Sequence, residues 1–239
     1  MFAVVGGAPP QPGWVRSDAP PGGLTSQSFG SSVVHVYQAV GARPGAPLVV
    51  LFDGGRWLDL GITTLLDNLT ADGLVEPAIV VLVDKIGTAA RYRGLTLPRY
   101  FEPLLADLIP CVTDGWKVTT DPARTVVAGQ SLGGLLATYL ARTQPWRFGA
   151  VLAQSTSYWW PGQDEPGELC GEAELAAADG PRTRFVLSAG KLERDVLTGN
   201  RRMRDALSGE IVYREYQGGH DFACWKGELA DGLIALLPG

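Results

Sequence analysis

Residues 125–134 read TVVAGQSLGG, and LLATYLART follows them. A continuous apolar run passes into a serine flanked by glycines and then into an apolar stretch with helical spacing. A buried strand that turns into a helix within one residue satisfies that order. So tight a turn holds Ser131 in a strained backbone conformation, and the small residues at 129 and 133 let strand and helix approach each other beside it.

The rest of the chain supplies the partners such a strand needs. LVVLF at 48–52, IVVLV at 79–83, AVLAQ at 150–154 and RFVLSAG at 184–190 are further short, continuously apolar runs. Runs of that kind suit a parallel sheet covered on both faces. Helical patterns fall near 62–72, 99–113, 132–143, 199–207 and 225–237. The alternation predicts a three-layer α/β sandwich with a mostly parallel central sheet. VVHVYQAV at 33–40 and IVYREYQ at 211–217 alternate instead, and both are expected as antiparallel edge strands.

Residues 6–30 are dominated by Gly, Pro and Ser, so residues 1–30 read as an N-terminal arm and 31–239 as the catalytic domain. Residues 161–167 read as a surface excursion that forms part of a pocket.

Composition narrows the function classes. Lys and Arg number 20 against 25 Asp and Glu, for a net charge of −5. That leaves no basic surplus for nucleic acid. The longest apolar runs are five or six residues, against the about 20 a membrane helix requires. The opening MFAVVGGAPPQPGWV lacks the basic segment of a secretory signal, which points to the cytoplasm. Cys111, Cys170 and Cys224 have neither zinc nor disulfide spacing and read as buried thiols.

At the turn, the Ser131 hydroxyl projects above the sheet at a helix N-terminus, where a developing oxyanion is favoured. A nucleophilic serine needs a base, and the chain has two histidines. His35 lies within a strand and reads as a packing or capping residue. His220, in Gln217–Asp221, follows a strand and precedes the last helix, the place where the order serine, acid, histidine puts its base. For the acid, Glu193 and Asp195 both follow the run at 185–190; Glu193 is favoured, Asp221 should face away from the ring, and a serine–histidine dyad stays open. The oxyanion donors are expected to be the backbone N–H groups of Leu132 and of Gly55, the latter in the Gly-Gly turn of FDGGRW.

FDGGRW at 52–57, GQSLGG at 129–134, QSTSYWW at 154–160 and GGHDFACW at 218–225 together resemble the enterobactin (enterochelin) esterase family of the esterase D-like α/β-hydrolases, from about Pro20 to the C-terminus. The resemblance implies an α/β-hydrolase fold and hydrolysis of the ester bonds of macrocyclic trilactone siderophores, their ferric complexes or their linear fragments. It puts Ser131, His220 and Glu193 on the catalytic positions, and Arg56 and Arg91 among those lining an anionic ligand pocket. Guanidinium groups suit a negatively charged ferric catecholate because they bond its oxygens while stacking on flat rings. Trp57, Tyr158, Trp159 and Trp160 are expected to add aromatic walls. No cofactor or resident metal is implied; iron would arrive with the substrate.

The chain departs from the family where an Arg-x-x-Glu-Leu segment is usual: it reads Arg91-Tyr-Arg-Gly94-Leu95, without the glutamate and with Arg93 added. Larger members also carry an N-terminal domain that completes the site. Two other functions share these residues: acyl transfer or cyclisation through the same acyl-serine, and ferric-siderophore binding without turnover.

Overall fold

The computed structural model describes residues 9–11, 13–29, 32–85, 93–160 and 183–239. Eight strands form one sheet: β1 (Gly23–Phe29), β2 (Ser32–Gln38), β3 (Leu48–Phe52), β4 (Ile79–Lys85), β5 (Thr125–Gln130), β6 (Ala150–Gln154), β7 (Arg184–Gly190) and β8 (Glu210–Tyr216). They lie in the order β1-β2-β4-β3-β5-β6-β7-β8. β1, β2 and β4 pair antiparallel, and every pairing from β4 through β8 is parallel. β5, which carries the serine turn, is therefore flanked by strands whose carboxyl ends rise on the same side.

Strand alternation divides the core in two. Leu48, Val50, Phe52, Val127, Val151 and Leu187 face one cluster, and Val49, Leu51, Val126, Ala128, Leu152 and Val186 face the other. The first cluster includes side chains of helices α3 (Pro98–Trp116), α4 (Leu132–Thr143) and α5 (Asp195–Ala206). The second includes those of α1 (Gly54–Asp59), α2 (Ile62–Ala71) and α6 (Phe222–Leu236). This is the three-layer α/β sandwich that the apolar runs predict.

Three expectations change. Gly23–Phe29, assigned to the N-terminal arm, is the edge strand of the sheet. Its side chains are exposed from Gly23 to Ser28, so no buried face marks it in the sequence, and the ladder to β2 holds it in place. β2 is consequently internal. β8 is an edge strand, but it runs parallel to β7; its alternation reflects partial exposure rather than direction.

The segment before β1 is tied to the second helical layer. Asn68 Nδ2 donates to the carbonyls of Gly13 and Val15, both at 2.8 Å, and Trp14 Nε1 donates to the Lys226 carbonyl at 3.0 Å. Residues 161–167 and Cys170 lie outside the described residues. Of the other cysteines, Cys224 is buried, whereas Cys111 is exposed rather than buried as expected.

Candidate active site

β5 ends at Gln130, and Ser131 stands between it and α4 with φ 57° and ψ −122°. A non-glycine residue at such angles persists only where its surroundings over-determine it. Here the Ser131 N–H donates to the Gln154 carbonyl on β6 at 2.9 Å, and the Ser131 carbonyl accepts from Ser157 N and Leu135 N, each at 3.2 Å. The turn closes because position 129 has no side chain: a Cβ on Gly129 would stand 2.5 Å from the backbone of Gly133. Leu132 is the first residue of α4, where backbone N–H groups lack intrahelical acceptors.

The Asp53-Gly54-Gly55 segment follows β3, the strand beside β5. It was expected to be a plain turn, but it starts α1, with Asp53 as left-handed N-cap (φ 60°) and Gly55 in the first helical turn. A buried hydrogen bond joins it to the serine turn: Gln130 Nε2 donates to Asp53 Oδ2 at 2.6 Å. Gln130 Oε1 in turn accepts from Trp57 Nε1 at 3.3 Å. The two backbone segments expected to supply oxyanion donors are thus cross-linked by side chains directly beside them.

His220 lies in the loop after β8, just before Asp221, the N-cap of α6. Its Nδ1 is 2.8 Å from Glu193 Oε2. Glu193 belongs to the loop after β7, and its Oε1 accepts from Ser155 Oγ at 2.7 Å, Gly190 N at 2.7 Å and Tyr216 OH at 3.0 Å. Burial acts to raise the pKa of this carboxyl, but the hydrogen bonds from His220, Ser155 and Gly190 outweigh it and hold the group below its ordinary value. Of the two acids left open, Glu193 is therefore the one that meets the imidazole. Asp195 is exposed at the start of α5, and Asp221 accepts from Cys224 N at 3.1 Å. His35 bonds Ser26 Oγ at 2.7 Å across the β1–β2 ladder, away from this constellation.

Among the described residues, the side-chain partner of Ser131 Oγ is Ser157 Oγ at 3.2 Å. Catalytic hydrogen bonds are often loose in unliganded sites and tighten in the substrate complex.

The expected aromatic walls divide. Trp57, Tyr158 and Trp160 are almost fully buried and belong to the core. Trp57 stacks on Trp14 and meets Phe222 edge-on, and Tyr158 OH bonds Thr138 Oγ1 at 2.9 Å. Three of the four are therefore scaffold rather than wall, because each ring fills space between sheet and helices. Trp159 alone is about half exposed. Arg56 is at the surface, paired with Asp59 at 3.9 Å and 5.5 Å from the Phe222 ring. Arg91 lies outside the described residues.

A small apolar pocket lies at the carboxyl ends of β3 and β4. Phe52, Asp53, Val83, Gly94, Leu95 and Phe101 are among its lining residues. Gly94 thus lines this pocket together with Asp53.

Sequence reasoning did not pick out Gln130, Asp53, Ser155, Ser157, Tyr216 or Trp225. Asp53, Gln130, Ser155, Ser157 and Trp225 fall within the quoted motifs, so their neighbourhood was visible, but which atoms they bond was not.

The family described as "Putative esterase" matches residues 33–236. The chain belongs to this esterase family. Among curated relatives, it is 38% identical to the Iron(III) enterobactin esterase of Escherichia coli K12 over 199 residues, 80% of this chain and 49% of that one. It is 34% identical to the Iron(III) salmochelin esterase of Escherichia coli O6:H1 over 208 residues, 80% of this chain and 50% of that one. The chain thus spans about half the length of these curated relatives. The enterobactin esterase of Shigella flexneri, crystallised in the presence of enterobactin, superposes with a TM-score of 0.84 at 34% identity, over 95% of this chain and 62% of that one. With these neighbours, the sheet and its two helical layers are an α/β-hydrolase fold. No described helix is long and apolar enough to cross a membrane.

Proposed function

We propose that this esterase-family chain is a serine hydrolase that opens the ester bonds of a catecholate trilactone siderophore or its ferric complex. The observation that carries the reading is the bond from His220 to the buried Glu193 carboxylate, in a molecule that also holds Ser131 on a strained strand-to-helix turn. The substrate class is supported by relatives named for Iron(III) enterobactin and Iron(III) salmochelin.

Glu193 accepts a hydrogen bond from the Nδ1–H, which fixes that tautomer and leaves the His220 Nε2 lone pair to take a proton. As Ser131 Oγ attacks the ester carbonyl carbon, its proton passes to Nε2, and the carbonyl oxygen becomes an oxyanion facing the N–H groups of Leu132 and Gly55. Collapse breaks the carbon–oxygen bond to the leaving alcohol, which receives the proton from Nε2. Water repeats the sequence on the acyl-serine, losing a proton to His220, and releases the acid. Arg56 and Arg91 are assigned to the anionic ligand, and Trp159 is the one aromatic of the expected four that is exposed enough to meet it.

The same reading takes residues 31–239, with β1 added, as the catalytic domain, and puts it in the cytoplasm, where the exposed thiol of Cys111 would stay reduced.

The test is mass-resolved hydrolysis of a trilactone siderophore, with and without ferric iron, by the wild type and Ser131→Ala. Serine-dependent linear fragments are expected. If the wild type cleaves simple aryl esters but leaves the ring intact in both metal states, the substrate assignment is wrong. If Ser131→Ala hydrolyses as fast as the wild type, the nucleophile assignment is wrong.

A further inference from the structure

The back of the Glu193–His220 pair is closed by two residues with no role in the steps above. Ser155 follows β6 in the left-handed region, with φ 46°. Its hydroxyl donates to Glu193 Oε1 at 2.7 Å, accepts from Trp225 Nε1 at 2.9 Å and lies 2.8 Å from Tyr216 OH. Trp225, on the first turns of α6, also sets its ring edge-on to the His220 imidazole, with centroids 4.9 Å apart and planes at 87°. One indole therefore touches both members of the pair, the imidazole by its ring and the carboxylate through Ser155. Ser155 is fully buried and Trp225 nearly so, so water does not substitute for these bonds.

We infer that Ser155 and Trp225 are positioning residues that fix the Glu193 carboxylate and, through it and the indole ring, the orientation and basicity of His220. The inference rests on the serine-hydrolase reading of the site. A carboxylate that receives a hydroxyl donor spreads part of its charge onto that bond, and the hydroxyl donates more strongly when its own oxygen accepts from an N–H. Removing the Ser155 hydroxyl concentrates charge on the side facing the imidazole. The protonated ring is then favoured, and the pH needed to free the base rises.

The experiment is the pH dependence of kcat and kcat/KM for hydrolysis of a simple aryl ester by wild type, Ser155→Ala, Trp225→Phe and Ser131→Ala. For Ser155→Ala we expect kcat to fall roughly 10- to 100-fold with KM within about twofold, and the acid limb to move up by about half a pH unit or more. Trp225→Phe keeps a ring against His220 but lacks the N–H, so it should shift the limb in the same direction by less. The low-field resonance of the His220 Nδ1 proton should move in both variants. Should Ser155→Ala not fold, Trp225→Phe and that resonance decide. An acid limb and resonance unchanged from wild type overturn the inference, however far kcat drops, because a merely structural role lowers the amount of active enzyme without altering its titration. An active Ser131→Ala overturns the serine-hydrolase reading itself; an inactive one beside unmoved profiles overturns only the positioning role.

Discussion

Glu193 and His220 share one hydrogen bond across opposite environments: the carboxylate side chain is 1% exposed and the imidazole side chain 39%. The buried partner is anchored by three donors on one oxygen, and the exposed one is free to face a substrate. This division fixes how a substitution at 193 must act. In Glu193→Gln, the amide oxygen has to stay where Ser155, Gly190 and Tyr216 donate. The amide nitrogen then faces His220 Nδ1 and donates to it, so Nδ1 loses its proton and Nε2 carries it. With the wrong tautomer, kcat on an aryl ester should fall by about 10³- to 10⁴-fold while the fold is retained. A loss below about tenfold in circular-dichroism-normal protein would remove Glu193 from the mechanism.

The serine turn makes an unequal demand on its glycines. A Cβ at Gly129 would meet the Gly133 backbone at 2.5 Å, whereas one at Gly133 would find its nearest neighbour, Phe52 Cβ, at 3.4 Å. Backbone cannot swing aside as a side-chain end can. Gly129→Ala should therefore lose most activity and destabilise the protein by roughly 1–3 kcal/mol, and Gly133→Ala should stay within about 0.5–1 kcal/mol of wild type. Thermal melts of the two variants side by side measure the difference; equal effects would mean that strand and helix do not approach as closely as described.

Gln130 links the serine turn to the Asp53 loop and the first turn of α1, which carries Gly55. Gln130→Ala deprives both Asp53 Oδ2 and Trp57 Nε1 of a buried partner. Leaving the buried Trp57 N–H without its acceptor costs about 1–3 kcal/mol. The loosened loop should also lower kcat more than it raises KM, because an oxyanion donor acts mainly in the transition state. Steady-state kinetics on an aryl ester separates the two; a change confined to KM would place the loop in substrate binding instead.

What was legible in the sequence follows from what creates the signal. Strands buried on both faces appear as continuous apolar runs, so β3 to β7 stood out, and a turn that demands glycine leaves glycine behind, so Ser131 stood out with them. β1 is exposed on both faces and leaves no such trace. The direction of β8 is set by its pairing with β7, which an alternating pattern does not encode. Trp57, Tyr158 and Trp160 show the remaining gap: a large aromatic beside a catalytic motif reads alike whether it lines the pocket or supports it from behind. Glu193 was favoured over Asp195, two residues away, from the sequence, but the contacts that distinguish them come from the fold, which buries one against Ser155, Tyr216 and His220 and starts a helix with the other.

Two buried carboxyl groups should make stability respond to pH with opposite signs. Glu193 is held below its ordinary value, so its contribution is full above the unfolded carboxyl range, about pH 4.3, and is lost as pH falls through the folded value. Glu228 on α6 is buried, and its pKa is raised, first by burial; Arg214 works against the shift and Asp231 with it. The folded protein therefore holds the Glu228 proton to higher pH than the unfolded chain does, and stability falls as pH rises through that interval. Glu228→Gln keeps the shape without the charge. It should raise Tm at pH 7–8, and the gain should shrink as the pH drops toward about 4, where the wild-type carboxyl is itself neutral. Calorimetric melts of both proteins across that range check the sign. A gain that grows toward acid would mean that Glu228 is favoured as a carboxylate in the folded protein, held so by the neighbouring Arg214.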